Sequence, residues 1–307
     1  MNHLTRKDVK AIRYMFCSAG LVVQTESRNE IKEHVLTGHP SKRLNSHKLV
    51  VVKIGKFQKQ IEFDNRGEEN EDYPASLYCK MRHEKQMYQA IFEHLYELFR
   101  RSSPTISVTL HTVADFEQLI DVSGINHTVL FGETVDASML NKHFARYPNQ
   151  TSAFIDTEIT GQFSEDSAIF EVPTICCENS SPTSLFKLFN GRDLQLFNCK
   201  FDTNDVVEFL DKWISGVAYR SLELLYLYSP VSLNIEKYAI IQRFGLALWP
   251  ENTPYIFEFK SRGDRLNGKD NKLVYDCRPY YQVKRASDHK IAALEVETNS
   301  LKLFVFQ

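Results

Sequence analysis

Residues 185–228, LFKLFNGRDLQLFNCKFDTNDVVEFLDKWISGVAYRSLELLYLY, decide the fold. Leu194 and Leu196 alternate as in a strand, with Cys199 at its edge. Thr203 or Asn204 offers a helix N-cap. Val206, Val207, Phe209, Leu210, Trp213 and Ile214 then recur at three and four residues and form one apolar helix face. Gly216 stands where a helix C-terminus favours φ > 0, and Leu222, Leu224, Leu225 and Leu227 open a further strand. The stretch reads as strand, capped helix, strand.

The same unit recurs on either side. Short apolar segments at Ser107–His111, Thr128–Phe131, Ser152–Asp156, Pro173–Cys177, Leu194–Asn198 and Leu222–Leu227 each precede a turn and a helix-like stretch. Their starts repeat at roughly 21–28 residues, close to the ~20–29-residue period of leucine-rich-type repeats, in which stacked units share one interior. The expected fold class is therefore α/β, an irregular leucine-rich-repeat-like stack of parallel strand–helix units over about 104–230. Upstream, KLVVVKIG and FQKQIEF flank Gly55-Lys56 and predict an N-terminal hairpin. The charged run DNRGEENEDYP predicts a loop, and Ser76–Met81 an extended segment. Met87, Ala90, Ile91, His94, Leu95, Leu98 and Phe99 predict an amphipathic helix over 84–101, ended by Pro104. After Pro230, ENTPYIFEFK, NKLVYDCRP, PYYQVKRA and KIAALEVETNSLKLFVFQ predict a C-terminal antiparallel sheet over about 254–307. At the N-terminus, Val9, Ile12 and Phe16 lie at helical spacing behind Thr5 and predict a short amphipathic helix over 4–16.

Composition narrows the function class. The 307 residues carry 37 Lys and Arg against 39 Asp and Glu, so no strong field attracts phosphate backbones or anionic membranes, and neither nucleic acid nor membrane is expected as partner. Apolar runs of about five residues fall far below the ~18–20 that cross a bilayer. Lys7, Asp8, Lys10 and Arg13 break up the N-terminus as a secretory signal. The six cysteines, at 17, 79, 176, 177, 199 and 277, follow no disulfide framework, and reduced thiols in the cytoplasm or nucleus are expected. Asn126-His-Thr128 and Asn149-Gln-Thr151 then read as chance sequons.

The arrangement Leu194-x-Leu196-x-x-Cys199, Asp205-Val206-x-x-Phe209-Leu210-x-x-Trp213-x-x-Gly216, Leu222-Glu223-x-Leu225 resembles the F-box-associated type 2 region of the large nematode F-box families. The likeness is strongest over these forty-odd residues and weaker over about 45–305. It implies an F-box-associated domain over 45–307 that recognises a target protein as the substrate receptor of an SCF ubiquitin ligase does, without catalysis or cofactor. An upstream F-box would bind the Skp adaptor and, through it, the cullin. The Leu-Pro opening of a complete F-box is not found here; residues 3–23 are similar to the second half of one, so 1–34 is expected to be a partial or degenerate F-box-like helical segment. The Skp and cullin partnership is implied only for a complete F-box.

Other chemically capable residues read as structural. Cys176-Cys177 supplies thiols for an orphan thiol or α/β enzyme, the rival function, but Val172-Pro-Thr-Ile175 around it reads as buried strand. Cys79 and His83 sit at metal-ligand spacing only on a helix and lack further ligands, so no metal is expected. His94 reads as a half-buried helix residue. Asp202 and Asp205 flank a helix start, where carboxylates stabilise exposed amides, and Glu68, Glu69 and Glu71 sit in a polar loop. Gly263–Lys269 spells GxxxxGK, followed by Asp270 in place of Ser or Thr, and strands flank it.

Overall fold

The computed structural model describes residues 9–17, 20–27, 32–42, 44, 49–55, 57–64, 76–99, 105–111, 124–179, 182–231, 235–250, 255–260 and 272–306. The loop expected over 65–74, its glutamates included, and the GxxxxGK segment lie outside these residues. The chain is α/β and divides into two compact units, Met1–Phe131 and Gly132–Gln307.

The first unit holds β1 (Val9–Cys17), β2 (Gly20–Ser27), β3 (Lys32–Ser41), β4 (Leu49–Ile54), β5 (Phe57–Asp64) and β6 (Ser76–Lys80). A 3-10 turn (Met81–His83) leads into α1 (Glu84–Phe99), then β7 (Thr105–Leu110) and the start of β8 (Ile125–Asp136). The strand order is β4-β5-β6-β3-β2-β1-β7-β8. β3 with β6, β1 with β7 and β7 with β8 are parallel; the remaining neighbours are antiparallel. The hairpin expected at Gly55-Lys56 is β4–β5, with Gly55 at φ 55°.

The N-terminal helix is corrected. Over Val9–Cys17 the chain is a strand, so the F-box-like helical reading of 1–34 does not hold there; residues 1–8 lie outside the described set. Ile12 and Phe16 fit a helical period, but Ile12, Tyr14 and Phe16 fit a period of two equally well. Pairing with β2 and β7 selects the second, burying all three. α1 packs over this layer through Tyr14–Phe92 and Phe16–Tyr88, with ring centroids 5.3 and 6.0 Å apart. Gly38 admits the helix closely: a Cβ there would stand 3.0 Å from Met87 Cε and 3.1 Å from Tyr88 Cε1. The apolar face of α1 is rotated from the expected one, with Tyr88 and Phe92 buried and His94 exposed.

The second unit begins within β8 and continues with α2 (Ala137–Arg146), β9 (Ser152–Thr160), a 3-10 turn (Ala168–Glu171) and β10 (Thr174–Cys177). There follow α3 (Thr183–Leu188), β11 (Asp193–Phe197), α4 (Thr203–Ser215), β12 (Leu224–Tyr228), α5 (Lys237–Phe244) and β13 (Ala247–Leu248). A two-stranded ribbon, β14 (Ile256–Lys260) and β15 (Lys272–Asp276), precedes β16 (Tyr281–Lys284), β17 (Ile291–Val296) and β18 (Ser300–Val305). β9, β10, β11 and β12 are consecutive parallel neighbours. β18, β17, β16 and β13 then extend the sheet antiparallel, as expected of the C-terminus.

Register sorts the side chains. Ala153, Ile175, Leu194 and Leu225 align across the parallel strands and continue into Leu303 and Leu294, all buried. Full burial of that face demands an apolar cover, which the buried sides of α3 (Leu185, Phe186) and α4 (Val206, Phe209, Leu210, Trp213) supply. The opposite face is partly covered by the β14–β15 ribbon, whose Phe257 and Phe259 cluster with Trp249, Leu224, Ala293 and Phe304.

α4 is closed at both ends. Asp202, not Thr203 or Asn204, is the N-cap: its Oδ1 accepts from the Asp205 amide at 2.8 Å, while Asp205 Oδ2 accepts from the Asp202 amide at 3.0 Å. Gly216 ends the helix at φ 74°, and a Cβ there would stand 2.1 Å from Ser287 Oγ. Gly216→Ala is therefore expected to destabilise by more than the ~1 kcal/mol of the left-handed conformation alone. Urea unfolding should show part of that loss recovered in Gly216→Ala with Ser287→Gly.

His143 on α2 is buried against Phe144 and Tyr147, with its Nε2 3.2 Å from Gln150 Nε2. Burial, aided by the Arg146 charge, lowers its pKa from 6.5 to about 3. The folded chain thus keeps the ring neutral while the unfolded chain protonates it near 6.5. This contribution is complete above pH 6.5 and is lost progressively as pH falls toward 3. Chemical unfolding at neutral and mildly acid pH should show a smaller acid loss in His143→Gln than in the parent chain.

Candidate interaction surface

The residues singled out by sequence converge on one place, and it is interior. Leu194, Leu196, Cys199, Val206, Phe209, Leu210, Trp213, Leu222 and Leu225 are all buried; Asp205 completes the capping box and Gly216 the C-cap. They build the β11–α4–β12 unit, and of them only Asp205 reaches the surface, where it pairs with Lys187 Nζ at 2.6 Å. Phe209 and Trp213 sit within this packing, Phe209 lying 5.4 Å from the Phe186 ring and 4.9 Å from Tyr219.

The side chains that reach toward water lie one residue out of phase, on the opposite side of the same strands, where Cys176 and Gln195 are themselves buried and the aromatics half-buried. Phe154, Cys176, Gln195 and Tyr226 align across β9 to β12 and lead into Lys302 and Glu295. In the next row Phe197 stands beside Tyr228, and the Glu178 amide continues the ladder to Ile155 O at 2.9 Å. Phe154, Phe197, Tyr226 and Tyr228 are all half-buried. Phe197 meets Tyr226 edge-on at 5.2 Å, and Lys302 Nζ lies 5.1 Å from the Tyr226 ring centre while pairing with Glu295 at 2.7 Å. Carboxylates border the aromatics: Asp156, accepting from Asn179 Nδ2 at 2.8 Å, the exposed Glu158, and Glu178. Neighbouring aromatics with one edge in water and carboxylates beside them suit contact with apolar and cationic side chains. The signal was present as the period-two phase of each strand, but only cross-strand register gathers four strands' outward residues into one surface.

The thiols face inward or stand beside a carboxylate. Cys177 is fully buried on the leucine side, and burial pushes its thiol well above the ordinary value. Cys199, also buried, is pushed up to about 12, and Cys176 Sγ lies 3.9 Å from Glu178 Oε1. Cys79 is on β6 and not on a helix, so its spacing to His83 is not the i, i+4 geometry of a ligand pair. Among the described residues no cluster of three or more His, Cys, Asp or Glu is placed to hold a metal, and no helix is long and apolar enough to cross a membrane.

No family model matches the chain, and neither curated proteins nor solved structures yield a match. In alkylation at neutral pH, Cys177 and Cys199 are expected to stay unlabelled in the native chain and to label in urea. Rapid native labelling of Cys177 would contradict its placement behind the sheet.

Proposed function

We propose that the chain is a protein-recognition module without catalysis of its own, which seats a segment of a target protein on the aromatic face of β9–β12. The observation that carries this reading is the alignment of Phe154, Phe197, Tyr226 and Tyr228 on one sheet face beside Asp156, Glu158 and Glu178. Half-exposed aromatics on a rigid sheet give large contact area with little entropy to lose, and the acidic border favours a target segment bearing Lys or Arg among apolar residues. The consecutive β9–β12 order with helical crossovers supports the leucine-rich-repeat-like description, an architecture whose strand face is a common docking surface. The resemblance of the β11–α4–β12 sequence to the F-box-associated type 2 region supports the role of substrate receptor. Skp adaptor and cullin would enter as partners through an F-box.

Affinity purification with proteasome inhibition tests this, comparing the parent chain with Phe197→Ser plus Tyr226→Ser. The parent is expected to retain a discrete target that the double variant loses while keeping its unfolding midpoint within the range of surface substitutions. A target set unchanged by the substitutions would remove the aromatic face from the proposal.

A further inference from the structure

Among the described residues of the first unit the sheet ends at β4, whose pairing with β5 runs unbroken from Leu49 opposite Glu62 to Ile54 opposite Phe57. In an antiparallel pair alternate residues turn their amide and carbonyl away from the neighbour, so the outer side of β4 carries a row of backbone donors and acceptors. Natural edges are usually blunted by proline, a bulge or charged side chains, lysine above all, and on β4 the one charge is Lys53. β4, LVVVKI, has neither proline nor bulge, and Val50 and Val51 are 41% and 62% exposed.

Cations lie on β4 and on the strands behind it. Lys53 lies on β4 itself and Lys59 stands opposite Val52. Lys80 ends β6, and Arg82 and His83 form the turn into α1. Arg82 Nε donates to His83 Nε2 at 3.3 Å, and partial burial with the charges of Arg82, Lys59 and Lys80 disfavours protonation of His83. No ion pair within the described residues neutralises Lys59, Lys80 or Arg82. Of the acids nearby, Glu84 accepts from the Tyr88 hydroxyl at 2.9 Å, and Glu62 lies at the far end of the hairpin from Gly55.

We propose that β4 is a docking edge onto which an extended acidic segment of a partner protein adds as a further strand. Backbone hydrogen bonds along Leu49–Ile54 hold the segment, its apolar side chains cover Val50 on one sheet face, and its carboxylates on the other face meet Lys53 beside Val51. A second copy of the chain fits less well, since pairing through β4 brings the like charges of two basic edges together.

Hydrogen exchange on the full chain tests the proposal, with a peptide of alternating Glu and Val matched in length to β4. The peptide is expected to slow exchange over residues 49–54 and to bind about tenfold or more tightly than its Lys–Val counterpart. Binding should fall by a similar factor in Lys53→Glu, and protection should vanish when the peptide is N-methylated at alternate residues, which keeps charge and removes backbone donors. Equal protection by both peptides, no protection at saturation, or self-association through 49–54 without peptide would each overturn it. So would binding of the peptide, of polyphosphate or of RNA that protects only residues 80–83.

Discussion

In-register parallel pairing of β9 through β12 fixes what every side chain of the second unit meets. With a side-chain period of two, a slip of one residue would turn Ile175, Leu194 and Leu225 to the outer face and send Cys176, Gln195 and Tyr226 inward. Each leucine or isoleucine moved out of the interior forfeits about 1.5–3 kcal/mol, so the register is strongly determined. The aromatic face follows from this constraint: the aromatics are outside because the leucines must be inside.

The second constraint is a buried guanidinium. Arg285, almost fully inaccessible, lies 5.2 Å from the Trp213 ring centre. Its Nε and Nη2 donate to Asp288 at 2.9 and 2.7 Å, and its Nη1 donates to the carbonyls of Tyr219 and Arg220 at 3.3 and 3.2 Å. The same hydrogen bonds hold the Asp288 carboxyl well below the usual carboxylate range. A buried charge is tolerated only when its donors are met, and here they join the β16–β17 turn to the segment after α4. The Ala286 amide adds a bond to Ile214 O at 2.7 Å, and the missing Cβ of Gly216 leaves room for Ser287. The Trp213–Gly216 spacing thus serves packing: Trp213 is buried beside Arg285, and Gly216 closes the helix.

The two proposed surfaces carry opposite charge. The face of β9–β12 has carboxylates around aromatics, whereas the β4 edge has Lys53 among valines. A chain with near-zero net charge can still select partners electrostatically when its charges are segregated, because screening over about 8–10 Å makes local charge matter more than the total. Asp202 and Asp205, as their place at a helix start implies, satisfy the first amides of α4.

The amino-acid sequence by itself determined the elements whose signals are local. The β4–β5 hairpin, α1, the strand–helix–strand unit with its Gly216 cap, and the terminal β17–β18 pair all follow from turn chemistry, capping and periodicity within a few residues. Tertiary structure decided the rest, because those questions compare residues far apart in the chain. Val9–Cys17 satisfies two periods, and only partners at Gly20–Ser27 and Thr105–Leu110 choose the strand. Arg285, within the strand-like PYYQVKRA, falls just past β16, and only the Tyr219 and Arg220 carbonyls and Trp213 bury it. Likewise, Phe154, Phe197 and Tyr226 become one surface only when backbone hydrogen bonds set strands tens of residues apart side by side.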